Sequence, residues 1–117
     1  MRDHTKLRAF ELADDLALAV YRVTATFPKQ ELFGLTSQMR RAAVSVPSNI
    51  VEGCARNSKA DYLHFLSTAY ASARELDYQV SLAGRLGYVK GKASEELQAA
   101  CLETCKVLNG LIRALRK

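Results

Sequence analysis

Three cysteines, two histidines and a surplus of cations are the residues of this chain that could do chemistry. Cys101 and Cys105 stand four apart, which on a helix puts both on one face, as paired metal ligands can be. Both also fall in an apolar stripe, where cysteine packs as a small hydrophobe. Cys54 and His64 could complete a four-ligand site, but no recognisable zinc spacing links them, so no metal is expected. His64 is the histidine inside the helical pattern, and no Ser/Asp constellation near it reads as a triad. Some all-helical ribonucleases place a His four to six residues after an Arg. Here Arg56 and His64 have seven intervening residues, and the default for His64 is a partly exposed helix face. The sequence therefore predicts no enzyme, no catalytic residue and no cofactor.

The cations are a stronger signal. Residues 1–33 carry five basic and five acidic groups, whereas residues 34–93 carry eight basic against four acidic. Arg40, Arg41, Arg56 and Lys59 are the candidates to neutralise phosphates and release counterions, the main source of sequence-tolerant nucleic-acid affinity. Tyr62, Tyr70, Tyr78 and Tyr88 could offer stacking faces to bases. The competing reading is an ordinary mixed-charge helix surface, to which Arg74, Glu75 and Asp77 conform.

The least generic stretch is Arg40–Arg56, RRAAVSVPSNIVEGCAR. Ala42, Ala43, Ser45 and Ser48 are small enough to let another backbone approach. Asn49, Glu52 and Arg56 recur at spacings of three and four, so they predict a hydrogen-bonded row along one side of a helix. Pro47 lacks an N–H and clashes with the carbonyl of Ala43, so a helix there should kink, or stop and restart with Ser45 or Ser48 satisfying freed backbone groups. Gly53 reads as a C-terminal stop. Ser45, Pro47, Asn49, Glu52 and Gly53 thus form either an internal structural network supporting the Pro47 kink or a binding edge or subunit contact.

The elements that must position these groups are all helical. Leu12, Leu16, Ala19, Val20, Val23 and Phe27 make one apolar face that ends before Pro28. A second stripe is Leu35, Met39, Ala42, Ala43, Val46 and Ile50. A third opens on Ser58 with Asp61 three residues later, a capping-box variant, and runs Tyr62, Leu66, Ala69, Ala73, Leu76, Val80 and Ala83 to a stop at Gly87. A fourth begins near Ser94, with Glu95 and Glu96 at the positive end of the dipole and Leu97, Cys101, Thr104/Cys105, Leu108, Leu111/Ile112 and Leu115 on one face. Short connections between such helices predict one domain over residues 1–117, an up-down-up-down antiparallel four-helix bundle. The 117 residues, 49% hydrophobic and 25% charged with a net charge of +5, suit a small globular core and an anionic partner. An odd cysteine count, a charged N-terminal stretch and the lack of a membrane-length apolar run point to a reduced, cytoplasmic protein.

The second helix also carries a family resemblance. Gln38, Arg41, Ala42, Ala43, Ser45, Val46, Pro47, Asn49, Ile50, Glu52, Gly53 and Arg56 resemble the signature of the four-helix-bundle proteins encoded in intervening sequences of bacterial 23S rRNA genes. Tyr62, Phe65, Leu66, Ala69, Glu75, Leu76, Gln79 and Leu86-Gly87-Tyr88 continue the match, while Val51 and Ala73 depart from it slightly. The resemblance implies a ring of identical chains, typically a homopentamer. It also implies similarity to the accessory proteins of diversity-generating retroelements, basic pentamers that bind nucleic acid and a reverse transcriptase. Two functions follow as expectations: a non-catalytic oligomer binding RNA or DNA, or a scaffold ring for a protein partner with no nucleic-acid role.

Overall fold

Four amphipathic segments that each lack a complete core must share one. The computed structural model describes residues 2–117, with helices α1 (Arg8–Thr24), α2 (Leu35–Cys54), α3 (Lys59–Arg85) and α4 (Gly91–Leu115). Single 3₁₀ turns occupy His4–Lys6 and Lys29–Glu31, and the molecule measures 43 × 24 × 19 Å. Each helix packs on its sequence neighbours, and α1 on α4 closes the cycle. Two core layers show the helices to be antiparallel. One joins Leu16 and Val20 of α1 to Met39 of α2, Val80 of α3 and Leu97 of α4. The other joins Ala9 and Ala13 to Ile50, Leu66 and Leu108, taking the opposite halves of all four helices.

The α2 and α3 stripes are buried throughout. In α1 the stripe is offset. The core line runs Ala9, Ala13, Leu16, Val20 and Thr24, while Leu12, Ala19 and Val23 are only half-buried and line a groove towards α4. Small Ala9 and Ala13 do not stand out by hydrophobicity, yet they allow the close packing of α1 on its neighbours. Buried Thr24 and Thr104 satisfy their hydroxyls on the carbonyls one turn back, Val20 and Ala100, at 2.7 and 2.8 Å.

The ends of the helices have identifiable causes. Ser58 caps α3, its Oγ accepting the Asp61 N–H at 3.0 Å. Gly87 adopts φ +80 while Tyr88 N–H donates to the Ala83 carbonyl and Gly87 N–H to Gly84, the Schellman arrangement. Glu31 caps α2 from the preceding turn: Oε1 accepts from Leu35 N–H at 3.1 Å, and Oε2 accepts from the Tyr88 hydroxyl at 2.9 Å. Helix α4 starts at Gly91, three residues before the expected Ser94, so Glu95 and Glu96 lie beyond its first turn.

Two expectations for α2 are corrected. The helix runs through Pro47 without interruption, so there is no stop and restart. Gly53 marks the end of the helix to within one residue, but not through a left-handed φ: it is a buried residue of the last turn, and a Cβ there would lie 2.9 Å from Phe65 Cβ. Its hydrogen lets α2 and α3 touch just before the chain reverses.

Candidate nucleic-acid interface

The four candidate cations separate into two groups. Arg40 and Arg41 lie in the first half of α2, while Arg56 and Lys59 flank the α2–α3 turn, roughly 20 Å away along the axis at helical rise. Arg40 is committed inside the fold. Its Nε donates to Thr24 Oγ1 at 2.9 Å and its guanidinium lies 4.7 Å from the Tyr21 ring centroid, tying α1 to α2. Arg41 is exposed and lines a polar groove of about 550 Å³ between α2 and α3 with Gln38, Ser45, Ser72 and Glu75. Arg56 lies 4.8 Å from the Phe65 ring centroid, and Lys59, which opens α3, is exposed.

The turn is held from an unexpected direction. Arg2 donates its backbone N–H to the Cys54 carbonyl at 3.1 Å, satisfying an end of α2, and its Nη1 to the Arg56 carbonyl at 3.1 Å. The same guanidinium sits 4.0 Å from the centroid of Tyr62. Because the helices alternate in direction, the last turn of α4 with Arg113, Arg116 and Lys117 reaches this end too. The segment-by-segment charge count missed these positions. The signal was nonetheless available, since an up-down-up-down chain brings both termini to the α2–α3 turn.

The row expected along α2 does not form. The Asn49 side-chain amide donates backwards to the Ser45 carbonyl at 2.8 Å and to Ser45 Oγ at 3.0 Å. Ser45 Oγ in turn bonds Ser72 Oγ of α3 at 2.8 Å. Glu52 is exposed and has no hydrogen-bond or ion-pair partner among the described residues. The network therefore runs across to α3, with Ser45 at its centre and Pro47 two residues further along α2. The buried Gln79 Oε1 has no partner among the described residues, although Gln79 Nε2 donates to Glu75 at 3.3 Å.

The tyrosines divide likewise. Tyr62 is buried and cannot stack on a base, while Tyr78 is exposed and Tyr88 is spent on Glu31. His64 is exposed and meets Phe65 edge-on, with ring centroids 5.5 Å apart. Arg56 and His64 thus flank one ring, but no polar side chain among the described residues orients the imidazole.

All three cysteines are free and buried. Burial pushes the thiols of Cys54 and Cys105 up, and that of Cys101 up to about 12. Such thiols stay protonated, and among the described residues no cluster of three metal-ligating side chains exists. A stability signature follows. Between its unfolded value of 9.0 and about 12, the Cys101 thiol keeps a proton in the fold that the unfolded chain releases. Its contribution is therefore present below pH 9 and lost as pH rises, at about 1.4 kcal/mol per pH unit. Urea unfolding at pH 8, 9 and 10 should show that decline, to which Cys54 and Cys105 add in the same direction, and Cys101→Ala should make it shallower.

These features define an antiparallel helical bundle with unpaired surface cations and no organised acid–base or metal centre among the described residues. The chain belongs to the 23S rRNA-intervening sequence protein family, whose model matches residues 5–110. Among solved structures it is similar to a protein of unknown function from the S23 ribosomal protein family of Bacteroides thetaiotaomicron. The two are 24% identical with a TM-score of 0.81, covering 90% of this chain and 95% of that one, which shows a shared fold. A comparison with curated proteins finds no match. No helix among the described residues is long and apolar enough to cross a membrane.

Proposed function

We propose that this chain is a non-catalytic, homo-oligomeric bundle that binds RNA or DNA through the basic end built around the α2–α3 turn. The observation that carries this reading is the set of cations at that end. Arg2, Arg56, Lys59, Arg113, Arg116 and Lys117 make no ion pair among the described residues, whereas Arg8 is held by Glu103 at 3.3 Å. Unpaired cations gathered at one end of a +5 protein attract phosphate and release counterions from it. Arg56 and Lys59 keep the role the sequence suggested for them. Arg40 is left out of this set because it lies in the first half of α2, away from that end.

Fluorescence anisotropy with a labelled mixed-sequence oligonucleotide at 50 mM salt tests the reading. Binding with little base preference is the expected result, and absence of binding for both RNA and DNA would overturn it. Oligomerisation is a separate part of the proposal, with five copies expected from the family resemblance. Light scattering should give a mass near five times 12.9 kDa, and 12.9 kDa at high concentration would refute it.

A second reading, a scaffold for a protein partner, draws on the other end of the bundle. There Phe33 is 93% exposed beside an exposed Leu32. Recovery of a protein partner by the wild type but not by Phe33→Ser would favour it.

A further inference from the structure

The groove between α1 and α4 is lined by Leu12, Leu16, Ala19, Val23, Leu97 and Ala100, with Asp15 and Glu96 at its rim, and encloses about 380 Å³. Three of its lining residues, Leu12, Ala19 and Val23, belong to the α1 stripe that the core leaves half-buried. Leu18, one turn from Asp15, is half exposed. This face is apolar in its floor and acidic at its edge, on a protein whose overall charge is positive. Asp15 has no ion-pair partner among the described residues, and Glu96 pairs only with exposed Lys92, at 3.7 Å.

A complementary surface exists on the same chain. Arg41, Val44, Ser48 and Val51 recur at spacings of three and four on the outer face of α2, and all four are exposed. The stripe is narrow and valine-bearing, with a cation at one end that makes no ion pair among the described residues. From Arg41 to Val51 it spans about 15 Å, against about 16 Å for the groove from Leu12 to Val23, both at helical rise. Apolar surface, small floor residues, length and charge all match.

We infer that the outer stripe of α2 seats in the α1–α4 groove of a second copy of this chain, with Arg41 against the rim carboxylates of Asp15 and Glu96. The contact joins two different faces, so each copy offers one of each and repeated contacts propagate head to tail until they close a ring. The inference rests on the oligomeric part of the proposed function and assigns its surfaces. It also separates the roles of the cations: Arg41 serves the subunit contact, while Arg56 and Lys59 remain free at the bundle end.

Charge reversal tests it. Arg41→Glu and the double variant Asp15→Arg/Glu96→Arg are each expected to raise the concentration for assembly at least tenfold, with far-UV circular dichroism unchanged. If Arg41→Glu loses helicity, Val44→Lys makes the same test from one turn away. Mixing the two variants one to one restores matched charges wherever unlike variants meet, so assemblies larger than the monomer should return, although a ring of five would keep one mismatched contact. Variants that keep the wild-type mass overturn the inference while leaving oligomerisation intact, and so does a mixture that stays monomeric. A monomeric wild type overturns both.

Discussion

Replacing Gly53 with alanine lowers the stability of this bundle, whereas the same change at Gly110 raises it. Both glycines lie inside helices with no positive φ, so the gain in helix propensity is the same at each, about 1 kcal/mol. What differs is the space. A Cβ on Gly110 meets nothing within 4 Å. A Cβ on Gly53 would lie 2.9 Å from Phe65 Cβ, 3.2 Å from Tyr62 Cδ1 and 3.4 Å from the Tyr62 carbonyl. None of these is the loose end of a flexible side chain. The α2–α3 contact must open, at an overpacking cost of about 1–3 kcal/mol that outweighs the propensity gain at its upper end. Urea midpoints for Gly53→Ala and Gly110→Ala should therefore move in opposite directions. Because Arg2, Arg56 and Lys59 are arranged around this contact, Gly53→Ala is also expected to weaken nucleic-acid binding, although the glycine itself touches no ligand.

The second large effect concerns the binding surface. Arg56→Glu/Lys59→Glu removes two cations from the end of the bundle and adds two anions. If each cation neutralises one phosphate, the loss in affinity at 50 mM salt is about 10²-fold, from counterion release alone. Arg40→Ala makes an informative contrast. It removes one positive charge but also the Thr24 hydrogen bond and the Tyr21 contact. It should lower stability by about 1 kcal/mol, with a much smaller effect on binding. A larger loss of binding from Arg40→Ala than from Arg56→Glu/Lys59→Glu would place the surface on α2 and not at the turn.

How far these sites could be read from the residues depended on what kind of information they needed. The stripes of α2 and α3 were fully legible, because large apolar residues recur on one face with alanines between them, and every one is buried. Of the α1 face, Leu16, Val20 and Phe27 are core as expected, but Leu12, Ala19 and Val23 are only half-buried, because the small Ala9 and Ala13 take the core side of the first half of the helix. Asn49, Glu52 and Arg56 share a face of α2, but a shared face does not decide partners. The Asn49 amide found a carbonyl and a hydroxyl at Ser45, one turn back, which a flexible glutamate did not better. Tyr62 shows the reverse limit. Its ring was legible both as core and as a stacking platform, and the core claimed it. The basic end was hidden because three of its six cations sit at the C-terminus and one at the N-terminus, and only the antiparallel packing brings them to Arg56 and Lys59.

The dependence of oligonucleotide affinity on salt tests the central claim most directly. With about four to six phosphate contacts, affinity should fall about 10²–10³-fold between 50 and 200 mM salt. The Arg56→Glu/Lys59→Glu variant should show a shallower slope as well as weaker binding. A wild-type protein that binds neither RNA nor DNA at 50 mM salt, or one whose affinity does not respond to salt, would contradict the account.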